Sequence, residues 1–308
     1  MGVGPESSRA ESPAYPFRES WVVLRDGRRL SCAEFGDPGG SVVLWFHGSP
    51  GSRTQVPPGL DRVARSRGIR VIGVDRPGMG GSTRDPAMTF LSFAEDVRQL
   101  VDVFQVSRFG VIGLSGGGAF GLACACALPD RVSALVTLGS PAPLVGPDAA
   151  PGYSRTTVRL AVGLYPVKTP LGWLATLAIK PLRPLAHPAL WVVQKVWWPV
   201  DRPIFQQPGF ARMFAESFLV ASEHGLHGLP HDYALFGRPW GFRLEEIRVP
   251  VSVWHGDRDP FVPLAHARYL NEKIPRSELV VLRGGGHLAA VVRVEEVLET
   301  VIRLGGQE

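Results

Sequence analysis

The residue with the clearest potential for chemistry is Ser115, which stands in the sequence Gly113-Leu114-Ser115-Gly116-Gly117. This matches G-x-S-x-G, in which a sharp turn between a strand and a helix holds a serine in a strained conformation with its hydroxyl exposed. Ordinary Gly/Ser-rich turns give the same five letters. Here an apolar run precedes the serine and a glycine-opened helix follows it, so we predict that Ser115 is a nucleophile.

A serine hydroxyl is a poor nucleophile unless a base takes its proton, and we predict that His287 is this base. The three glycines at 284–286 form a turn after the last apolar run that can carry the imidazole to the serine. The base needs an acidic partner that fixes its tautomer. Of the two nearby carboxylates we choose Asp259, because it lies three residues after a glycine in G-x-x-D-x-x-V-P; Asp257 is assigned to a turn cap or to pairing with Arg258.

Attack on a carbonyl creates an oxyanion, which needs hydrogen-bond donors that are already in place. The N–H of Gly116, directly after the serine, is one expected donor. The other is expected from the turn at residues 47–51, where Pro50 has no N–H and the Ser49 amide is the best candidate. We expect His47 to brace this turn by hydrogen bonding rather than to take part in the reaction.

Short apolar runs that alternate with helical patterns must position these residues. The predicted strands cover residues 21–24, 30–35, 42–46, 71–74, 109–114, 132–138, 250–254 and 279–282, and the first two flank an Asp-Gly turn typical of a hairpin. Helices are predicted at 52–67, 90–104, 116–127 and near the C-terminus at 291–302. The pattern predicts an α/β fold with a mostly parallel eight-stranded sheet, and the candidate residues all follow strands, at the edge where such sheets bind ligands.

The alternation of strands and helices is interrupted between residues 143 and 225, which we interpret as an inserted helical cap. The core is then predicted at 19–142 and 226–308, after a flexible tail at 1–18. Between 149 and 200 the chain has no Asp or Glu. The residues predicted to line a hydrophobic substrate pocket are Leu114, Trp173, Trp191, Trp197, Trp198 and Phe261. The alternative for the tryptophans is that they pack the cap onto the core.

Composition excludes several other classes of protein. The net charge of +5 is spread along the chain, without the basic clusters and interleaved aromatics of a nucleic-acid-binding protein. Three cysteines give neither a disulfide framework nor a zinc motif. The N-terminus lacks the apolar segment of a signal peptide, and no apolar stretch is long enough to span a bilayer. We therefore expect a cytoplasmic protein that does not associate with membranes; the oligomeric state is left open.

Two patterns suggest a bound phosphate or metal, and both are rejected. The glycine-rich turn at 75–82 has neither the P-loop nor the dinucleotide-binding sequence, so it is interpreted as structural. His224, His227 and His231 are spaced like metal ligands, but the glycines and the proline among them argue against a regular helix that would hold them together. We predict no cofactor and no metal.

Taken together, these motifs resemble the α/β-hydrolase superfamily, in its group of cap-bearing serine hydrolases. The matching blocks, in chain order, are HGSPG (47–51), DRPGMGGS (75–82), GLSGGG (113–118), HGDRDPFVP (255–263) and GGGH (284–287). The resemblance implies a triad in the order serine, acid, histidine. Haloalkane dehalogenases and epoxide hydrolases of this superfamily have Asp at the position of Ser115, so the resemblance argues against those activities.

The blocks HGSPG and DRPG are also similar to the HGGPG and DQRG of a proline-iminopeptidase-like branch, but Ser49 and Arg76-Pro77 depart from that pattern. In that branch cap carboxylates hold the substrate amine, and Glu216 and Glu223 are the candidates here. We expect hydrolysis of an ester, lactone or thioester of a hydrophobic small molecule. The alternatives are an aminopeptidase and a non-hydrolytic small-molecule receptor on the same fold.

Overall fold

The computed structural model describes residues 3–5, 17–146, 149–185 and 199–306. Its centre is one sheet with the strand order β1-β2-β3-β5-β4-β6-β7-β8-β9. The strands are β1 Val3–Pro5, β2 Arg18–Val23, β3 Arg29–Gly36, β4 Ser41–Phe46, β5 Ile69–Val74, β6 Phe109–Leu114, β7 Val132–Leu138, β8 Val251–Gly256 and β9 Ser277–Leu282. All eight predicted strands are present, and the fold class is confirmed.

The sheet combines an antiparallel edge with a parallel centre. β1, β2 and β3 pair antiparallel with one another, and β3 pairs antiparallel with β5. From β5 onward all pairs are parallel, and β4 lies between β5 and β6. The chain therefore passes from β4 to its neighbour on one side, β5, and then crosses to its neighbour on the other side, β6. The carboxyl end of β4 is thus a topological switch point, which is where open α/β sheets bind ligands.

Helices cover both faces of the sheet and make up most of the described part of the insertion. The α-helices are α1 Leu60–Ser66, α2 Phe90–Val103, α3 Gly116–Ala127, α4 Arg155–Leu164, α5 Lys168–Leu182, α6 Arg202–Phe205, α7 Phe210–Ala221, α8 Gly228–Phe236, α9 Leu264–Lys273 and α10 Val294–Gly305. One apolar core joins the sheet to α2, α3 and α9, and a second joins it to α1 and α10. The near-continuous apolar strands are explained by this burial on both sides.

Two expectations about the elements need correction. The predicted helix at 52–67 is only Leu60–Ser66, because Pro57 and Pro58 precede Gly59, which caps the helix in the left-handed region at φ 85°. The sheet also has a ninth strand, Val3–Pro5, inside the segment predicted as a tail; it pairs with Ser20–Val22 through backbone register.

The described part of the insertion is helical and contains no strand. The cap was predicted to end at residue 225, and α8 begins at Gly228 and packs against both α4 and α5. α8 also reaches the turn at 47–51, where Tyr233 donates a hydrogen bond to the Ser49 carbonyl at 3.3 Å. None of the described helices has the length and hydropathy needed to cross a bilayer.

Candidate active site

Ser115 occupies the turn between β6 and α3 in a strained backbone conformation, with φ 51° and ψ −121°. Non-glycine residues with positive φ are uncommon and are concentrated at functional sites. The turn is held by the Ser115 N–H, which donates to the Leu138 carbonyl at 2.7 Å. Its tightness requires glycine nearby, since a Cβ on Gly117 would overlap the carbonyl oxygens of Phe46 and His47. These features are those of a nucleophile elbow.

His287 lies on the loop after β9 and its ring reaches the carboxyl end of β7. A Cβ on Gly139 would lie 3.2 Å from His287 Nδ1, so the two residues are in close contact. Gly139 directly follows Leu138, the hydrogen-bond partner of the Ser115 amide. The structure thus brings the predicted base and nucleophile to the same corner of the sheet.

Asp259 holds the imidazole of His287 by a hydrogen bond of 2.7 Å from Nδ1 to Oδ2. Its other oxygen accepts the amides of Phe261 and Val262 at 2.8 and 3.0 Å. Burial raises the pKa of Asp259, but the hydrogen bond and charge of His287 and the Val262 amide outweigh it and leave the pKa below its ordinary value. The carboxylate is therefore ionised and accepts the hydrogen bond that His287 donates from Nδ1.

The other carboxylate of this loop has a different contact. Asp257 accepts the Gly284 amide at 2.7 Å and is exposed, in keeping with its assignment to a turn cap. Within the described residues the Ser115 hydroxyl makes no hydrogen bond. Hydrogen bonds between catalytic groups are often long before substrate binds, so this geometry agrees with a serine and a base that align on the substrate.

Asp201, which the sequence analysis did not identify, fixes the backbone of the histidine loop. One of its oxygens accepts the His287 amide at 2.9 Å and the other accepts the Leu288 amide at 3.1 Å. The carboxylate is fully buried against Gly286, where any side chain would overlap it. Burial raises the pKa of Asp201, against the lowering effect of the two amides and of His287. No local motif marks this residue, because its partners are more than 80 positions away.

The turn at 47–51 lies directly over the nucleophile elbow. A Cβ on Gly48 would lie 3.6 Å from Ser115 Cβ, and one on Gly116 would lie 2.7 Å from Ser49 Oγ. The Ser49 N–H makes no hydrogen bond to the described residues. Gly116 begins α3, so its N–H has no partner within the helix. The two predicted oxyanion donors are thus neighbours and both N–H groups are available.

A fully buried arginine braces this turn. Arg76 donates to the carbonyls of His47 and Gly48 at 2.6 and 3.0 Å and to Ser49 Oγ at 2.9 Å. Its charge is paired at 2.7 Å with Asp232 of α8, also fully buried, which accepts the Ser49 hydroxyl at 2.6 Å as well. The sequence had shown Arg76 only as a departure from a family motif. The structure explains it as the positive centre that orders the turn at 47–51.

His47 braces the same turn, as expected, and stays neutral. Burial and the charge of Arg76 lower the pKa of His47 well below its ordinary value. Its Nε2 accepts the Arg76 amide at 3.3 Å, so the proton lies on Nδ1, which donates to the Gly48 carbonyl at 2.7 Å. The neighbouring glycine-rich turn is also structural, since the Asp75 carboxylate accepts the Gly81 amide and pairs with Arg53 at 2.6 Å.

Aromatic side chains adjoin the reactive groups. The ring of Phe261 stands edge-on to that of His287 at 5.3 Å, and Phe236 Cζ would lie 2.9 Å from a Cβ on Gly116. Leu114 is buried beneath the elbow in the sheet core. Trp173 of α5 is half-exposed and its ring packs against that of His227 at 4.6 Å, so its place in a substrate pocket stays a prediction. Trp191, Trp197 and Trp198 lie outside the described residues.

The histidines that suggested metal ligation have separate partners. His231 Nε2 donates to the Met88 carbonyl at 3.0 Å, and His227 packs against Trp173. Across the described ranges no group of three His, Cys, Asp or Glu residues is arranged to hold a metal ion.

Two curated relatives cover most of the chain. A poly(3-hydroxyalkanoate) depolymerase from Ectopseudomonas oleovorans is 26% identical over 278 residues, which are 89% of this chain and 87% of the relative. A 2-hydroxymuconate semialdehyde hydrolase from Pseudomonas putida is 25% identical over 287 residues, 91% of each chain. Both relatives are hydrolases.

The fold has close counterparts among solved structures. The esterase EaEST from Exiguobacterium antarcticum superimposes with a TM-score of 0.68 at 20% identity, over 92% of this chain and 98% of the esterase. The sequence profile of the alpha/beta hydrolase fold matches residues 41–294, which include the nucleophile elbow, the acid loop and the histidine loop. The chain therefore belongs to the α/β-hydrolase family and is a hydrolase.

Proposed function

We propose that the protein hydrolyses an ester of a hydrophobic small molecule through an acyl-enzyme on Ser115. His287 is the general base and acid, and Asp259 orients it. The amides of Ser49 and Gly116 bind the oxyanion. The observation that carries the proposal is the strained elbow at Ser115, which lies against the Ser49 turn and is hydrogen-bonded to the end of β7, where Gly139 contacts His287 of the His287–Asp259 pair.

The proposed reaction has two halves. Ser115 Oγ attacks the carbonyl carbon while its proton passes to His287 Nε2, and the negative oxygen is held by the two amides. The tetrahedral intermediate expels the alcohol, which takes the proton from His287 and leaves the acyl group on Ser115. Water then gives a proton to His287 and attacks the acyl carbonyl; the acid leaves, and Ser115 regains its proton.

The environment of these groups supports a hydrophobic substrate. Phe261 and Phe236 adjoin the base and the oxyanion turn. The carboxylates nearby are engaged, with Asp201 on backbone amides and Asp232 on Arg76. The relative named for poly(3-hydroxyalkanoate), a polyester, supports an ester. The other relative is named for 2-hydroxymuconate semialdehyde, which has no ester group. The type of bond that this protein cleaves therefore has to be tested directly.

Labelling with a fluorophosphonate tests the nucleophile. The wild-type protein is expected to label and to hydrolyse aryl esters of graded chain length, with preference for the longer acyl groups. Ser115→Ala is expected to lose labelling and to lose more than about a thousandfold in kcat, since the oxyanion amides alone leave a small residual rate. Ser66→Ala, at an exposed serine of α1, is the matched control and keeps both activities. Equal labelling of wild type and Ser115→Ala would show that serine catalysis at this position is wrong.

The same assays separate the two alternatives. An aminopeptidase would cleave aminoacyl-arylamides faster than aryl esters. Of the two cap carboxylates considered for binding a substrate amine, Glu216 pairs with Arg212 at 2.5 Å, which does not favour that alternative. A receptor on the same fold would bind a ligand with little turnover of any ester in the panel.

A further inference from the structure

The cap helix α5 turns an apolar stripe toward solvent. Trp173, Leu174 and Leu177 are 54%, 61% and 67% exposed. Pro170, Ala178 and Pro181 are exposed too and continue the same row at intervals of three and four residues, which is one face of an α-helix. A surface helix of a globular protein normally turns such a row toward its core.

The contacts of the opposite face fix this orientation. Where α5 comes closest to the rest of the protein, its inward side carries small residues. Gly172 lies against His227, and Thr176 is buried. Thr176 Oγ1 donates to the Gly172 carbonyl at 2.7 Å and accepts the Leu226 amide at 3.0 Å. Rotation of the helix would break this bond and drive leucines into a space that fits only glycine and threonine.

The segments on either side of α5 in the sequence carry further exposed apolar residues. Leu160 and Val162 of α4 and Val167 before α5 are exposed, and so are Leu182, the last residue of α5, and Leu185 beyond it. α4 and α5 both pack on α8, and their exposed apolar residues together with the stripe on α5 are called the cap surface below. Exposed apolar patches of this kind are typical of binding sites rather than of ordinary solvated surface.

The charged residues in the segment that carries α4 and α5 have one sign. Residues 149–185 contain no Asp or Glu, and the exposed cations Arg155, Arg159 and Lys180 belong to the same two helices. Lys168 and Arg238 both stack on Tyr165, at the turn between α4 and α5, at 3.8 and 4.0 Å. Apolar residues on one face with basic residues beside them, on helices without acids, are the features of helices that lie in a membrane interface.

We propose that the cap surface docks on an anionic lipid surface, with the α5 leucines in the acyl–headgroup boundary and the cations on the headgroup phosphates. Charge favours this partner over a second copy of the chain, because a symmetric dimer through this face would bring the same cations together. The sequence analysis expected no membrane association, because it found no segment long enough to span a bilayer; the exposed stripe on α5 is visible only in the structure. The inference does not depend on the bond that the enzyme cleaves.

Flotation with lipid vesicles tests the proposal on the full-length protein. Wild type is expected to float with vesicles of equal parts phosphatidylcholine and phosphatidylglycerol, weakly with phosphatidylcholine alone, and less as salt rises. Leu174→Glu with Leu177→Glu is expected to lower the partition coefficient by about tenfold or more for each leucine. Ile302→Glu, at an exposed apolar residue of α10, is the matched control and binds like wild type, since α10 packs on β7 and α1 and does not carry the α5 stripe.

Circular dichroism shows whether the two glutamates disturb folding. If they do, a second double variant still tests the docking proposal. Arg159→Glu with Lys180→Glu leaves the leucines in place and is expected to abolish the preference for the anionic vesicles. The proposal is overturned if wild type does not float with anionic vesicles, or if both double variants float as well as wild type. It is also overturned if ultracentrifugation shows a dimer that the leucine variant dissociates while vesicles bind neither protein, since the cap surface would then join two copies.

Discussion

Asp201 shows how a single buried carboxylate can determine the position of a reactive group that it does not touch through its side chain. Its two oxygens accept the amides of His287 and Leu288, so the backbone on both sides of the imidazole is held from the inserted segment. The proposed base therefore depends on the cap region as well as on Asp259. Small displacements of a catalytic group have large effects on rate, about a hundredfold for 1 Å.

Asp201→Asn is accordingly expected to lower kcat for a soluble aryl ester by about 10- to 100-fold and to leave KM nearly unchanged. An asparagine offers one acceptor, and its NH₂ group would face an amide donor of the loop. The matched control is Asp257→Asn, because Asp257 is exposed and accepts the Gly284 amide, in the same loop but away from the imidazole; its kcat is expected to stay within about twofold of wild type. A kcat equal to wild type in Asp201→Asn would refute a positioning role for this residue.

At the scale of elements, the junction between β6 and α3 is the most constrained part of the fold. The helix begins with Gly116, Gly117 and Gly118, and its first turn passes close to the end of β4. A Cβ on Gly117 would overlap the backbone oxygens of Phe46 and His47, so the strand or the helix would have to move. These glycines are needed for close packing and not for flexibility.

Gly117→Ala is therefore expected to lower the free energy of unfolding by about 1–3 kcal/mol or more and to slow fluorophosphonate labelling of Ser115. Gly163→Ala is the matched control, because Gly163 is a helical glycine of α4 with no atom within 4 Å of a built Cβ. There the free energy of unfolding is expected to rise by roughly 0.5–1 kcal/mol, with unchanged labelling. Urea unfolding measures the first quantity. A Gly117→Ala protein as stable and as reactive as wild type would contradict the packing argument.

The same junction explains which elements the sequence could predict. Buried parallel strands are apolar without interruption, and those that carry reactive residues end at a glycine or a polar residue, as β6 does before Ser115 and β4 does at His47-Gly48. Such local signals located the eight predicted strands. The start of α2 was predicted at residue 90 from its apolar spacing, and in the structure Thr89 caps the helix by accepting the Ser92 amide at 3.0 Å.

The features that the sequence did not predict depend on contacts between residues far apart in the chain or on the conformation of a single residue. The length of α1 depends on the conformation of Gly59, and a helical pattern of apolar residues does not reveal it. Asp232 and Arg76 meet across 156 positions, and Asp201 meets the histidine loop across 86. Both contacts form only in the folded chain, so no sequence spacing reveals them.

For the molecule as a whole, several histidines are buried in the neutral form. Burial, with the charge of Arg76 near His47 and of His287 near His255, lowers the pKa of these two histidines. Burial, with the charge of His255, lowers the pKa of His266 to about 4. His266 Nδ1 accepts the Ala142 amide at 3.0 Å, and its ring packs on Tyr153 at 4.7 Å. Protonation of these side chains is easier in the unfolded chain than in the folded one, so acid favours unfolding.

His266 allows this effect to be isolated. Its pKa is 6.5 when unfolded and about 4 when folded, so the unfolded chain binds more protons between these values. Its contribution to stability is complete above pH 6.5 and is lost as the pH falls toward 4, by about 3 kcal/mol in all. His266→Asn keeps an acceptor for the Ala142 amide and does not titrate. Between pH 7 and 4 its free energy of unfolding is therefore expected to fall by about 3 kcal/mol less than that of wild type, as measured by urea unfolding at each pH.

The control for this experiment is His224→Asn, which changes an exposed histidine and is expected to follow the wild-type curve. His47, His255 and Asp259 are present in all three proteins, so their contributions cancel in the comparison. Equal slopes for His266→Asn and wild type would mean that His266 is protonated in the folded protein already at pH 6. The Ala142 amide would then have lost its acceptor, and the packing of residues 141–143 against α9 would have to differ from the structure described above.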